Sequence, residues 1–319
     1  MRNVVLLGLV SFFTDISSEM VYPIIPLYLT AVLGATPALV GVIEGIAESL
    51  ASLLKVFSGY MSDRFNKKKP LAFIGYAGGF VYKLALLTAN SWVGILVARV
   101  IDRIGKGIRT APRDVMVSES AVQNQLGKAF GLHKALDMAG SALGIFLAYL
   151  LLAGGVGETG YKRIFFYALI PAVLGLSMFA AIKEKRGDRA EPEREPFWQN
   201  IRQVDGQIKL YLLVTFLFTL GNSSNAFLLL RAQNVGFNET TVILLYFIYN
   251  LTASLLSFPL GKLSDRIGRK KLLVAGYLIF AMVYTGFALA FNKTIIIIAF
   301  ILYGVYTAMI TGVERAFIA

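Results

Sequence analysis

The chain has 319 residues, 56% of them hydrophobic, with one histidine, no cysteine, a formal net charge of +12 and a mean hydropathy of +0.66. Apolar content well above the roughly 45–50% of soluble domains points to a polytopic membrane protein, and the missing cysteines exclude disulfides, thiolate metal sites and cysteine nucleophiles. His133 alone makes no imidazole cluster for a catalytic metal, and with no nucleophile–base pair evident, neither an enzyme nor a bound cofactor is expected.

A bilayer-spanning helix needs about 20 mostly apolar residues. Ten stretches qualify, approximately Val4–Leu33, Pro37–Tyr60, Pro70–Ala89, Trp92–Val117, Ala129–Ala153, Ile164–Ile182, Lys209–Val235, Thr241–Leu263, Leu272–Ala290 and Thr294–Ala319, here numbered spans 1 to 10. Asp15 and Glu19 interrupt the first stretch and no small-residue cleavage site follows it, so it reads as a retained helix and not a signal peptide. Pro23 and Pro26 are expected to kink it. The segment 183–205 is charged and proline-containing at its start and breaks the hydropathy. It divides the chain into an N-terminal six-helix repeat (1–182), a cytoplasmic linker (183–205) and a C-terminal repeat of four helices (206–319).

The basic residues gather in short segments between apolar stretches. Arg64, Lys67, Lys68, Lys69, Lys128, Lys183, Lys185, Arg186, Arg266, Arg269, Lys270 and Lys271 fall on one set of loops, and only Lys162, Arg163 and Lys293 on the other. The charge excess is therefore a topology signal and not affinity for nucleic acid. Under the positive-inside rule it puts both termini in the cytoplasm of a cell-membrane protein, with these loops against anionic lipid head groups.

One loop signature occurs twice. Gly59-Tyr-Met-Ser-Asp63-Arg64-Phe-Asn-Lys67-Lys68-Lys69 follows span 2, and Gly261-Lys-Leu-Ser-Asp265-Arg266-Ile-Gly-Arg269-Lys270-Lys271 follows span 8, an offset of 202. Ala51-Ser52-Leu53-Leu54 returns at the same offset as Ala253-Ser254-Leu255-Leu256. The chain is an internal duplication, the arrangement of transporters that bind their cargo between two membrane repeats.

Charge inside the spans marks the candidate site. A charged side chain at the bilayer centre costs about 2.5–3.5 kcal/mol even on insertion scales, so such groups face protein or a wet cavity. Asp15 and Glu19 in span 1, and Glu44 and Glu48 in span 2, are i,i+4 pairs that each share one helix face. In span 4, Arg99, Asp102, Arg103, Lys106, Arg109 and Arg113 fall within an arc of roughly 120°, and the stripe reads as one wall of a cavity. The bland alternative is a neutralised salt-bridge lattice that only holds spans 1, 2, 4 and 5 together, above all for Lys83 and Asp137. In span 7, Asn222-Ser-Ser-Asn225 is the polar patch of the second repeat, open to a ligand or to packing. His133 reads as a hydrogen-bonded interfacial residue, Gly140 and Gly144 as a close-packing face, and the aromatic residues as lipid-facing and interfacial filling.

On the repeated loop signature the chain resembles the major facilitator superfamily along its whole length. Arg99-Val-Ile-Asp102-Arg103-Ile-Gly105-Lys106-Gly107 follows that family's second motif, with Asp102 and Arg103 where Gln and Gly are usual. Gly140-Ser-Ala-Leu-Gly144 is similar to its antiporter motif, with Ile145 in place of proline. The run Asp102–Asp114 resembles a prokaryotic branch of drug-exporter-like members. The resemblance implies an all-α, polytopic, monomeric bundle of two repeats, here six helices plus four, ten of the family's twelve. It implies gating by Asp63, Arg64, Asp265, Arg266 and Arg113, with Asp63 capping a helix 11 that this chain does not reach and Asp265 capping the start of span 5. The expected function is secondary active transport of a small molecule by alternating access. Protons are the expected coupling ion, because mid-depth carboxylates suit them. Efflux of a cationic or amphiphilic organic compound through the acids is one expectation, and uptake or exchange of a small anion held by Arg99, Arg103 or Lys106 is another. A non-transporting sensor or scaffold is the alternative of a different class.

Overall fold

A computed structural model describes residues 2–65, 68–121, 126–182 and 206–311. Among the described residues all regular structure is helical. Spans 2 to 5 are single helices: α3 (Pro37–Phe65), α4 (Lys68–Thr88), α5 (Trp92–Ser120) and α6 (Leu126–Ala153). Span 1 is two helices, α1 (Arg2–Val21) and α2 (Ile24–Ala31). The break falls at Tyr22-Pro23, where the proline ring cannot continue the ladder, so the expected kink is there. Span 6 starts six residues before its expected bound and is also divided, into α7 (Glu158–Tyr167) and α8 (Leu169–Ala180). Spans 8 to 10 are α11 (Glu239–Ile267), α12 (Arg269–Leu289) and α13 (Lys293–Thr311). The segment 183–205, Lys67 and the last residues from 312 onward lie outside the described residues, as does the side chain of Lys128.

Span 7 departs from its expectation. In place of one helix there are two, α9 (Gly206–Gly221) and α10 (Asn225–Asn234), separated by Asn222-Ser223-Ser224. Ser224 accepts the backbone N–H of Ala226 and so starts α10 as its N-cap. Hydropathy passes over the break because both flanks are apolar. The hydroxyls of a polar patch that competes with the helix ladder end it locally.

Nine helical stretches among the described residues are long and apolar enough to cross a bilayer. Span 4, α5, has 29 residues and is not among them, because its stripe of charge interrupts the apolar run. It is enclosed by protein instead. Glycines let its neighbours approach. A Cβ on Gly105 would lie 2.6 Å from the carbonyl oxygen of Gly75 on α4, and one on Gly107 would lie 2.6 Å from Leu54 on α3. Gly140 and Gly144 of α6 lie against the backbone of Phe12 and Ile16 on α1, the close packing their spacing predicts. The first six spans thus form one tight group around α5.

They meet the last four spans at mid-depth and at the end opposite the basic loops. Gly41 faces Phe227, and Phe146 and Phe247 rings lie 5.6 Å apart. At the basic end α9 is exposed along nearly all of its described length.

Candidate functional site

The stripe on α5 folds as one wall. Arg99, Asp102, Arg103 and Arg109 are buried, Arg113 is half-buried, and Lys106 and Glu48 reach open space in front of the wall. Arg99 donates through Nη2 to both carboxylate oxygens of Glu44, at 2.5 and 2.6 Å. Arg103 pairs with Glu48 at 2.9 Å. Asp102 stands between them, 3.8 Å from Arg99 and 4.0 Å from Arg103. The expected acids of span 2 and bases of span 4 are therefore partners, and α3 and α5 are clipped together through two charge-assisted contacts, Arg99–Glu44 in a dry interior and Arg103–Glu48 at its open edge. Arg113 turns to its neighbour Asp114 at 2.9 Å.

Span 1 supplies a different pair. Asp15 lies within side-chain hydrogen-bonding reach of Asp137 on α6, and Asp137 accepts from Lys134 at 2.7 Å. Glu19 keeps a buried carboxylate oxygen with no hydrogen-bond partner among the described residues. Lys106 and Arg103 are the charges that act on it most strongly. His133 is buried at 5% exposure, with its Nε2 2.9 Å from Ser11 Oγ. It is hydrogen-bonded as expected, but inside the helix packing instead of at the interface.

Facing this wall is a cluster that sequence reasoning missed. Tyr22, at the break in span 1, lies beneath the guanidinium groups of Arg99 and Arg103, at 5.4 and 5.9 Å. Its ring approaches Tyr246 of α11 at 6.1 Å. From there rings run on through Tyr249 (5.5 Å), Tyr303 (4.9 Å) and Tyr306 (5.5 Å), crossing from α11 to α13. Tyr246, Tyr249, Tyr303 and Tyr306 are all buried, so the reading of the aromatics as lipid-facing filling is wrong for these residues. The signal was present: Tyr246 and Tyr249, and again Tyr303 and Tyr306, are i,i+3 pairs that each share one helix face. Aromatic rings are common in membrane spans, which hid it.

The break in span 7 joins this cluster. Tyr303 donates to Asn225 Oδ1 at 2.9 Å, and Tyr284 to Asn222 Oδ1 at 3.2 Å. Each asparagine thus accepts one tyrosine hydroxyl at its Oδ1. Of the gating candidates, Arg266 is exposed, and the side chains of Asp63, Arg64 and Asp265 lie outside the described residues. Lys68 and Lys69 are turned onto protein, Lys68 to Glu119 at 2.5 Å and Lys69 to the carbonyls of Ala180 and Ile182 at 3.2 and 2.5 Å. Among the described residues no group of three potential metal ligands occurs.

A helical bundle crossing the membrane nine or ten times, with a charged interior wall set against a second group of helices, is the build of a transporter. The sequence matches the Major Facilitator Superfamily over residues 7–211 and 210–319, and the chain belongs to that family. It is 36% identical to an uncharacterized MFS-type transporter of Methanocaldococcus jannaschii, over all of this chain and 80% of the relative. It is 27% identical to the multidrug resistance protein MdtG of Escherichia coli over 88% of this chain and 70% of the relative. The fold is similar to that of the nucleoside transporter NupG, at a TM-score of 0.74 and 12% identity, covering 100% of this chain and 82% of that one. It is also similar to an inward-facing, occupied bacterial homolog of the human lysosomal transporter Spinster, at 0.73 and 15%, covering 98% and 72%. The chain is a multi-pass membrane transporter for a small molecule and not an enzyme.

Proposed function

We propose that this transporter is a secondary active carrier that exports an amphiphilic organic cation by alternating access, in exchange for protons. The observation that carries the reading is Glu19: a carboxylate with an unpartnered buried oxygen, in the same span as Tyr22 and near Tyr246 and Tyr249 of the ring series. A carboxylate beside aromatic faces suits a cation that is part charge and part apolar body. The arginines that would serve an anion are already engaged, Arg99 by Glu44 and Arg103 by Glu48.

The cargo would lie between the first repeat, 1–182, and the second, 206–319, joined by the linker 183–205. With the basic loops and both termini in the cytoplasm of the cell membrane, contacts gathered mid-depth and at the opposite end describe an inward-facing state. The protein acts as a monomer. Arg266, Lys270 and Lys271 are left to meet anionic lipid head groups, and Asp63, Arg64, Asp265 and Arg113 serve the gates. Similarity to a multidrug resistance protein supports the direction of transport.

Reconstituted protein should take up a fluorescent lipophilic cation against an imposed pH gradient, and Glu19→Gln should abolish the response to that gradient while binding in a thermal-shift assay weakens at least tenfold. Transport indifferent to the gradient would refute proton coupling, and stabilisation by organic anions alone would refute the cargo.

A further inference from the structure

His133 and Asp137, which the sequence marks only as an interfacial residue and a salt-bridge member, stand on a polar seam between α1 and α6. The two helices climb together from the end of the basic loops: Gly8 of α1 lies against His133 and Leu136, and higher up Phe12 and Ile16 lie against Gly140 and Gly144. Ser11 Oγ meets His133 Nε2 at 2.9 Å, across an offset of 122 residues. Asp15 and Asp137 share that offset, one turn higher on each helix, and their carboxyl groups lie within hydrogen-bonding reach. The same offset sets Glu19, a turn higher again, level with Ser141, whose hydroxyl donates to the Asp137 carbonyl at 3.1 Å. The seam is a ladder of polar rungs, each about 6 Å above the last.

The middle rung needs a proton. Two carboxylates repel when both are charged, and they hydrogen-bond only when one of them is protonated. Lys134 donates to Asp137 Oδ2 at 2.7 Å, which leaves the proton to Asp15, on the helix face that also carries Glu19. Lys134 is itself 56% exposed, and a pair open to water holds its carboxylate only loosely. The other charges around the seam come from α4 and α5. Lys83 and Arg109 act on Asp15, Arg113 acts on Asp137, and Arg113 and Asp114 act on His133. Glu19 acts on Asp15 and Asp137 acts on Glu19, so a change of charge at the top rung reaches the one beneath it.

We infer that Asp15, Asp137 and His133 form the relay through which the proton of Glu19 leaves toward the basic loops. This rests on the proton exchange proposed above and names the residues that conduct it. The proton of Asp15 crosses to Asp137, Asp137 passes one to the neutral imidazole of His133, and the imidazolium gives it up to water. The O–H of Glu19 then refills Asp15. Each transfer breaks one O–H or N–H bond and makes another, with the electron pair staying on the donor atom, and bridging water spans the gaps between rungs. Glu19 is thereby left ionised and ready for a cationic cargo.

The test uses the full chain in proteoliposomes with a fluorescent lipophilic cation. Asp137→Asn and His133→Gln keep hydrogen-bonding groups in place but cannot pass a proton on. Each should slow uptake driven by a pH gradient by roughly tenfold or more, with cation affinity in a thermal-shift assay within about twofold of native. Cation–cation counterflow, which moves no net proton, should survive in both. Glu19→Gln differs from them, because it weakens binding itself. Asp137→Glu, which restores the carboxyl group, should recover part of the driven rate. In native protein labelled with isotopic aspartate, adding the cation should shift the infrared carbonyl band of a protonated aspartic acid, and Asp15→Asn should lack that band. Driven uptake as fast as native in both variants overturns the relay and leaves Glu19 as the coupling residue. Counterflow lost together with driven uptake reduces these residues to a structural part and overturns it too, as does a native protein with no protonated aspartic acid. Indifference of the native chain to the gradient refutes proton exchange itself, and the relay with it.

Discussion

Glu44 and Arg99 hold each other in a dry interior, and removing one partner strands the other. Glu44→Gln should cost about 3–5 kcal/mol, the range for breaking a buried pair from one side. The double variant Glu44→Gln/Arg99→Gln should be more stable than the single one, because two neutral amides leave no stranded charge. Thermal unfolding of the purified variants measures both, and a single variant as stable as the native protein would mean that the pair is not desolvated. The charges of this wall were legible in the sequence as i,i+4 acids and a one-sided basic stripe. Their pairing was not. Whether Arg99 faces cargo or Glu44 depends on how near α3 comes to α5, and that is set by Gly107 against Leu54, a contact with no local signature. Tyr22 carries no such signal, since nothing in its own span indicates that Tyr246 lies opposite.

At the scale of helices, the small residues set the spacing. Gly144→Ala places a methyl group 2.5 Å from the carbonyl oxygen of Ile16, so α6 must move off α1. An overpacking cost of about 1–3 kcal/mol follows. Gly45→Ala meets nothing within 4 Å and should be neutral or mildly stabilising, since alanine is the better helix former by up to about 1 kcal/mol. Melting temperatures that fall equally for both would remove the close-packing explanation. Ten spans could be counted from hydropathy because each is long and apolar, and the two prolines announced the break in span 1. The break in span 7 has no proline or glycine between Asn222 and Ser224. Its cause is the competition of Asn and Ser side chains for backbone groups, together with the hydroxyls of Tyr284 and Tyr303 on other helices.

For the molecule as a whole, the state captured is one in which the two groups of spans touch at mid-depth and at the end away from the basic loops. The native chain has no cysteine, so introduced pairs report without background. Cysteines at Gly41 and Phe227 should be joined by a short bifunctional thiol reagent in the resting protein, and the cross-linked form should bind cargo but no longer move it, because that end cannot part. Full transport after complete cross-linking would show that the two groups do not separate there. The duplicated loop signature made the two-part plan readable from the sequence alone. The division of labour between the parts was not, because charges occupy the first and hydroxyl-bearing rings the second, and duplication had suggested likeness.

Arg231 gives the break in span 7 its mechanical meaning. From α10 its guanidinium reaches the last carbonyls of α12, donating to Phe287 at 2.9 Å and to Ala290 at 2.9 Å, while on the far side of the break Phe218 of α9 lies against the Tyr277 and Phe280 rings of α12 at 4.3 and 4.6 Å. Between them Ser223 and Asn222 meet the Tyr284 hydroxyl of the same helix. Both pieces of span 7 thus lean on span 9, and a tilt of that helix carries both sides of the break with it.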